Sequence, residues 1–210
     1  MYRTVKRATD IAGATFGLVV FAIPMVVIAA LVRLTLGSSV IFRQPRPGLR
    51  ERTFDIYKFR TMRDTPDADS SALSNHLRVT RLGRFLRRAS LDELPELVNV
   101  LRGEMSLVGP RPLRVEYLGR YTPEQSRRHD VLPGITGWAQ MKARNRSTWN
   151  ERLALDVWYV DHASIGLDLK ILFQTVFELV RRAHHSDDGL DVPEFVGTAD
   201  RAPAPKGGMT

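Results

Sequence analysis

The chain contains no cysteine, which rules out both a disulfide framework and a thiolate metal site. This fits a reducing compartment. There is no Walker A loop, no GxGxxG turn and no nucleophilic-serine motif, so the usual signatures of P-loop NTPases, dinucleotide-binding folds and serine hydrolases are missing. Thr61 and Ser106 have no recognisable base partner. No internal repeat is present, which excludes solenoid and propeller architectures. Acidic residues are scarce relative to basic ones: 23 Asp and Glu face 31 Lys and Arg, a net charge of +8. Such a surface favours anionic partners: lipid headgroups, nucleotides or nucleic acid. What remains is a chain of 210 residues, 43% of them hydrophobic, enough for one domain with a real core.

Charge is also missing locally. Ile11 to Val32 carries no charged residue. As a straight helix this stretch would be about 33 Å long, and the hydrocarbon core of a bilayer is about 30 Å. A signal peptide fits poorly, because the apolar run is too long and no small-residue cleavage site precedes Arg33. Pro24 interrupts the run, removes an amide donor and kinks or breaks the helix. Two readings follow: a straight span, or a broken helix that enters and leaves on one side. Arg3, Lys6 and Arg7 precede the segment, and Arg33, Arg43, Arg46, Arg50 and Arg52 follow it. Positive charge on both flanks favours two cytoplasmic ends, but kinked spans are common and the residues alone leave the readings balanced. Residues 33–90 by themselves carry a balance of +8. Basic charge concentrated directly after an apolar segment favours an anionic membrane surface over a nucleic-acid footprint.

Further along, Val40–Phe42 and Phe54–Phe59 read as short strands joined by a turn at Pro45-Arg46-Pro47-Gly48, a small hairpin. The polar stretch 64–75 reads as a loop. Arg78, Arg81, Arg84, Arg87 and Arg88 recur at helical spacing around Leu82, Phe85, Leu86 and Ala89, an amphipathic basic helix suited to an anionic surface or to packing on the core. Helices are predicted over 94–101, 124–130, 149–159 and 167–182. The last carries one broad apolar face (Leu167, Ile171, Leu172, Thr175, Val176, Leu179, Val180) and is too short to span comfortably. Residues from 198 onward are rich in Pro, Gly and Ala and are predicted to be disordered.

The chemistry centres on Asp92 and Glu93, in Ser90-Leu91-Asp92-Glu93-Leu94-Pro95-Glu96-Leu97. Adjacent carboxylates after many arginines point to metal-assisted chemistry on a phosphate. Ser90 with Glu93 also fits a capping box, whereas a cap at Asp92 would put Pro95 in the first turn, where it is tolerated. Either arrangement sets both carboxylates near a helix N-terminus, which keeps them ionised and attracts phosphate. Neighbouring helical residues project about 100° apart, so separate roles fit better than a shared proton. In Gly109-Pro110-Arg111-Pro112, Pro110 and Pro112 fix the backbone of Arg111, which suits bidentate phosphate contact; a rigid turn is the plain alternative. The glycines of Pro133-Gly134-Ile135-Thr136-Gly137-Trp138 permit close approach to a ligand or form a simple turn. Lys58, Arg60, Arg88 and the run Arg144-Asn145-Arg146 are further cations for an anionic substrate. His129 and His162 read as structural, and His184-His185 beside Asp187 and Asp188 as a solvated tail.

Four motifs in this order and spacing, Tyr57-Lys58-Phe59-Arg60-Thr61-Met62, Ser90-Leu91-Asp92-Glu93-Leu94-Pro95, Gly109-Pro110-Arg111-Pro112 and Pro133-Gly134-Ile135-Thr136-Gly137-Trp138, resemble the bacterial sugar transferases, the monotopic phosphoglycosyl transferases. The resemblance runs from about Tyr2 to Arg182 and is to the short, catalytic-domain-only form. It implies transfer of a sugar-1-phosphate from a UDP-sugar to polyprenol phosphate, with release of UMP. It implies Asp92 as nucleophile and Glu93 as its positioner or as a Mg²⁺ ligand, with Asp92 and Glu93 the metal-binding pair. Donor contacts would come from Arg111, Pro110, Pro112, Lys58, Arg88 and Arg144. The implied fold is α+β, mainly α: a re-entrant membrane helix over 1–36 broken at Pro24, a catalytic domain over 37–197 with interfacial amphipathic helices and the hairpin, and a tail over 198–210. The implied location is the cytoplasmic face of the inner membrane, on anionic lipids, with no nucleic acid partner. One position departs from the pattern. Ile23 precedes Pro24 where short relatives often carry serine, so Pro24 alone must carry the bend.

Overall fold

The computed structural model describes residues 2–63, 78–143, 147–182 and 195–197. The expected loop 64–75, the Arg144-Asn145-Arg146 run, the His184-His185 pair and the tail 198–210 lie outside the described residues.

The charge-free segment is divided between α1 (Tyr2–Val20) and α2 (Ala22–Leu36). They are bent by 62° at Phe21 rather than at Pro24. A helical proline crowds the carbonyl four residues before it, and for Pro24 that residue is Val20, where α1 ends. The break is therefore displaced one turn upstream, and Pro24 sits in the first turn of α2, where a missing N–H costs little. Ordinary helical bonds flank the bend, Phe21 N to Gly17 O at 2.9 Å and Met25 N to Phe21 O at 2.8 Å. Among the described residues no single helix is long and apolar enough to cross a membrane, but the bent pair passes together by length and composition.

The first turns of α1 are pinned to the rest of the molecule. Lys6 Nζ donates to Asp168 Oδ2 at 2.8 Å and to the Val108 carbonyl at 3.0 Å. Arg7 donates to the carbonyls of Val100 and Leu101. Asp10 is 3% exposed and accepts from Ser106 Oγ and Leu107 N, both at 2.9 Å. Of the three cations expected to mark the upstream flank, two are thus consumed internally, and only Arg3 is exposed.

β1 (Ile41–Pro47) and β2 (Thr53–Phe59) pair antiparallel, from Ile41 opposite Phe59 to Pro47 opposite Thr53. The turn is not at Pro45–Gly48. The strand runs through both prolines, which an edge strand tolerates, and the reversal spans Gly48 to Arg52, closed by Gly48 N to Arg52 O at 2.8 Å. The basic helix is α3 (Arg81–Arg88), capped by Thr80 Oγ1 accepting from Gly83 N at 2.9 Å. Leu82 and Leu86 pack with Ile28, Val32 and Phe59, so α3 joins α2 to the hairpin while its arginines face outward.

After α3 the chain differs from expectation. Ser90 adopts a left-handed conformation (φ 54°, ψ 22°) and makes no capping bond, so the capping box with Glu93 does not form. Leu91–Glu93 form a 3-10 turn, and α4 (Glu96–Arg102) begins after Pro95. Leu97 and Val100 of α4 pack with Ala14, Ile56 and Met105. A second two-stranded sheet, parallel and not anticipated, pairs β3 (Ser106–Val108) with β4 (Gly134–Thr136). The polar helix expected over 124–130 is α5 (Pro123–Ser126), opened by a Thr122–Gln125 capping box and followed by a 3-10 turn at Arg127–His129. α6 (Trp138–Lys142), α7 (Trp149–His162) and α8 (Ile165–Arg182) complete the described elements. α8 has two apolar faces rather than one: Ile171 is buried with Leu167 and Leu172 beside it, while Leu169, Phe173, Val176 and Phe177 are exposed. The architecture is α+β and mainly helical.

Candidate active site

Glu93 is the hub of the site. Lys58 Nζ lies 2.6 Å from its Oε1. Arg111 grips both carboxylate oxygens, Nη2 on Oε1 and Nη1 on Oε2. Lys58 also lies 3.1 Å from Glu96 Oε1, an ionic contact without hydrogen-bond geometry. Each partner has its own support. Lys58 stands on β2, which the fully buried Asn99 of α4 fastens: Asn99 Nδ2 donates to Asp55 O at 2.7 Å and its Oδ1 accepts from Tyr57 N at 3.1 Å.

Arg111 is held through its backbone. Pro110 and Pro112 are buried, and Gly109 N donates to Thr136 O at 2.9 Å and Gly134 N to Pro110 O at 3.0 Å. A Cβ on Gly134 would fall 2.0 Å from Gly109 N. The glycine there lets two backbones approach each other, not a ligand. The Arg111 carbonyl accepts from Arg128 Nη2 at 2.7 Å. Arg128 is 2% exposed and is paired with Asp156 Oδ2 at 2.7 Å and 3.1 Å.

Asp92, in the same 3-10 turn as Glu93, is 8% exposed. Its carboxylate accepts no hydrogen bond among the described residues. Burial, and then the charge of Glu93, push its pKa above the ordinary aspartate value, against the pull of Lys58, Arg87 and Arg111. Glu93 goes the other way: burial would raise it, but Arg111 and Lys58 outweigh that and hold it below the usual carboxylate range. Glu96 is pushed up by burial and by Glu93. The Asp92/Glu93 pair is thus split into a firmly ionised, cation-bound carboxylate and an unbonded one that is easier to protonate, an asymmetry that gives adjacent acids different tasks.

Arg88 is exposed in the last turn of α3, while its neighbour Arg87 acts on Asp92 and donates Nε to Thr61 Oγ1 at 3.0 Å. Arg144 lies outside the described residues. His129 is buried, and burial lowers its pKa to about 4, which fits a structural residue. Among the described residues no three acidic or imidazole side chains converge as a metal set. Mg²⁺ usually takes one or two carboxylates together with substrate phosphates, and Asp92 beside Glu93 supplies that number.

Several site residues escaped the sequence reading. Glu96 follows Glu93 by three and Asp92 by four, a spacing that would have placed it on their side of a helix. Asn99, Arg128 and Asp156 left no local signal, because their partners are distant in the chain. Arg46 did leave one: Pro45-Arg46-Pro47 repeats the Pro-Arg-Pro pattern of 110–112.

A family model described as bacterial sugar transferase matches residues 1–182. The chain is 47% identical over 196 residues to the uncharacterized sugar transferase EpsL of Bacillus subtilis, covering 93% of this chain and 97% of that one. It is 41% identical over 186 residues to the UDP-glucose:undecaprenyl-phosphate glucose-1-phosphate transferase of Escherichia coli, covering 84% of this chain and 40% of that one. It is 37% identical over 184 residues to the UDP-N-acetylgalactosamine-undecaprenyl-phosphate N-acetylgalactosaminephosphotransferase of Aeromonas hydrophila, covering 84% and 44%. The chain thus spans nearly all of the first relative and less than half of the other two.

Proposed function

Because the chain belongs to the bacterial sugar transferase family, we propose that it transfers a sugar-1-phosphate from a UDP-sugar to polyprenol phosphate, releasing UMP. The observation that carries this reading is the split pair: a nearly buried Asp92 that accepts no hydrogen bond among the described residues, beside a Glu93 held by Lys58 and Arg111. Asp92 Oδ attacks the sugar-bearing phosphorus. A carboxyl–phosphorus bond forms, the bond to the UMP oxygen breaks, and UMP leaves with the electron pair. An oxygen of polyprenol phosphate then attacks the same phosphorus, forming the diphosphate and freeing the Asp92 carboxylate. The covalent step lets a soluble donor and a lipid acceptor use one site in turn.

A carboxylate meeting a diphosphate is repelled unless cations intervene. Arg111 and Lys58 carry that charge, and Glu93 sets their position from the Asp92 side. Mg²⁺, held by Asp92, Glu93 and donor phosphate oxygens, would lower the repulsion further and stabilise departing UMP. Relatives named for UDP-sugar donors and an undecaprenyl-phosphate acceptor support the substrate classes.

The same reading sets the protein on the cytoplasmic face of the membrane, with α1 and α2 as a re-entrant pair. Support comes from Phe16, Val19, Ile23, Val26 and Leu34, each at least 70% exposed. Apolar side chains this exposed on one bent pair belong in lipid rather than water. The test is UMP release from UDP-sugars and polyprenol phosphate by the full chain in detergent or nanodiscs. Asp92→Asn is expected to abolish release and to leave no phosphosugar adduct by intact-mass spectrometry; undiminished turnover in that variant would reject the mechanism.

A further inference from the structure

The second Pro-Arg-Pro segment meets the first. Pro47, at the end of β1, lines one crevice together with Pro110, Arg111, Pro112 and His129. Arg46, next to Pro47, donates Nη2 to Gln44 Oε1 at 2.7 Å, but its Nε is buried without a partner. Arg46 also feels the charges of Arg111 and Arg114, which together with its burial make its cationic form harder to keep. A fold that gathers guanidinium groups this way works against itself twice. Like charges repel, and a buried donor left unpaired loses its hydration without a replacement. Both costs fall when an anion with several acceptor oxygens arrives.

We propose that Arg46 is a second phosphate-binding arginine, and that it clamps with Arg111 the diphosphate of a nucleoside diphosphate sugar. Both arginines precede a proline, which holds them in extended backbone, so little freedom is lost on binding. Their tasks differ. Arg111 spends part of its fork on Glu93 and so ties the donor to the Asp92 turn. Arg46 has no acidic partner within bonding distance among the described residues, and its buried Nε is unpaired, a donor that a phosphoryl oxygen would satisfy. A guanidinium suits this place better than an ammonium, because its planar fork matches two phosphoryl oxygens at once.

This inference rests on the donor assigned above, and its test is binding, not turnover. Full-length Asp92→Asn protein in detergent with Mg²⁺ is titrated with UDP, and uridine is measured by competition. Adding Arg46→Gln is expected to weaken UDP at least tenfold, with Arg46→Lys intermediate and the uridine affinity unchanged. Unchanged UDP affinity in Arg46→Gln overturns the clamp. So does an equal loss for UDP and uridine, which would mean that Arg46 only supports the hairpin. A parental protein that binds no UDP overturns the donor assignment and the clamp with it. Thermal melts of each variant accompany the titrations; if Arg46→Gln melts early, Arg46→Lys alone decides, and parental UDP affinity in it would overturn the proposal.

Discussion

As the proposed nucleophile, Asp92 would have to be ionised to attack, and its pKa is raised by burial and by Glu93. Below that pKa the carboxyl is protonated and inert. The acid limb of kcat/KM against pH is therefore expected above the value of about 3.9 typical of a free aspartate, and a limb at or below it would show that Asp92 is not so perturbed. Glu96 offers a second test. Its folded pKa is raised, so it favours the fold when protonated, and that contribution is lost as pH climbs through the raised value. Glu96→Gln keeps the shape and never ionises. The melting temperature of Glu96→Gln minus that of the parent should grow from pH 5 to pH 8, by about 2–4 °C for each kcal/mol recovered. A difference independent of pH would mean that Glu96 is not strained by its charge. Glu93 has the opposite sign: its depressed pKa stabilises the fold at neutral pH and that contribution fades as pH falls through it. Motif order singles out Asp92, Glu93, Lys58 and Arg111, and the structure brings Lys58 and Arg111 onto Glu93 beside Asp92. The direction of the Asp92 shift was not, because it depends on burial among side chains from β2 and the 110–112 loop. Ser90 shows the same limit: its pattern fits an N-cap, but the path from α3 into the Asp92 turn demands a left-handed residue, and an N-cap residue takes extended backbone instead.

At the scale of elements, periodicity locates the longer helices, and strand and turn residues the hairpin; the short α6 (Trp138–Lys142) is missed, and element ends are set by contacts the pattern does not contain. β1 runs through Pro45 and Pro47 because its open edge needs no donor there. α8 was read with one apolar face because Phe173 and Phe177 fall outside the stripe that packs on the core. The bend between α1 and α2 was attributed to Pro24 and lies at Phe21, because the clash acts on the carbonyl of Val20. Pro24→Ala restores the N–H to that carbonyl and is expected to straighten the pair. At 1.5 Å per residue, a 19-residue and a 15-residue helix bent by 62° span about 44 Å end to end and about 51 Å when straight. Spin labels at Arg3 and Leu34, just inside the two ends, should register a lengthening of about 6 Å by pulsed dipolar spectroscopy, and no change would assign the bend to packing. α3 supplies the other test at this scale. A Cβ on Gly83 would sit 2.1 Å from the Thr61 carbonyl oxygen, a backbone atom that cannot swing away. Gly83→Ala should push α3 off the end of β2 and cost about 1–3 kcal/mol, seen as a lower melting temperature. A neutral result would mean that α3 is free to shift.

For the whole molecule, the question is whether the helices α1 and α2, the proposed membrane segment, are an appendage to the rest of the fold or a part of it. Sequence reasoning places a boundary at residue 36, because composition changes there. Contacts cross that boundary at several points. Ala14 is fully buried against Ile56, Leu97, Val100 and Met105, and Ile28 and Val32 form one cluster with Phe59 and Leu86. Lys6, Arg7 and Asp10 supply polar partners to Asp168, to the end of α4 and to β3. Removing residues 2–36 would expose both clusters, leave Asp168 without its cation, and strip Leu97 and Val100, which follow directly on the Asp92 turn, of their cover. Loss of a few large apolar contacts already costs about 2–5 kcal/mol each, against a total stability of about 5–15 kcal/mol. The truncated chain is therefore expected to lack a cooperative thermal transition in detergent, where the full chain has one, and not to be a soluble enzyme merely released from the bilayer. A truncated chain that melts cooperatively and still releases UMP would show that α1 and α2 are a dispensable anchor. Failure to melt cooperatively would mean that α1 and α2 build the floor under Asp92, so that folding of these helices and assembly of the site are a single event.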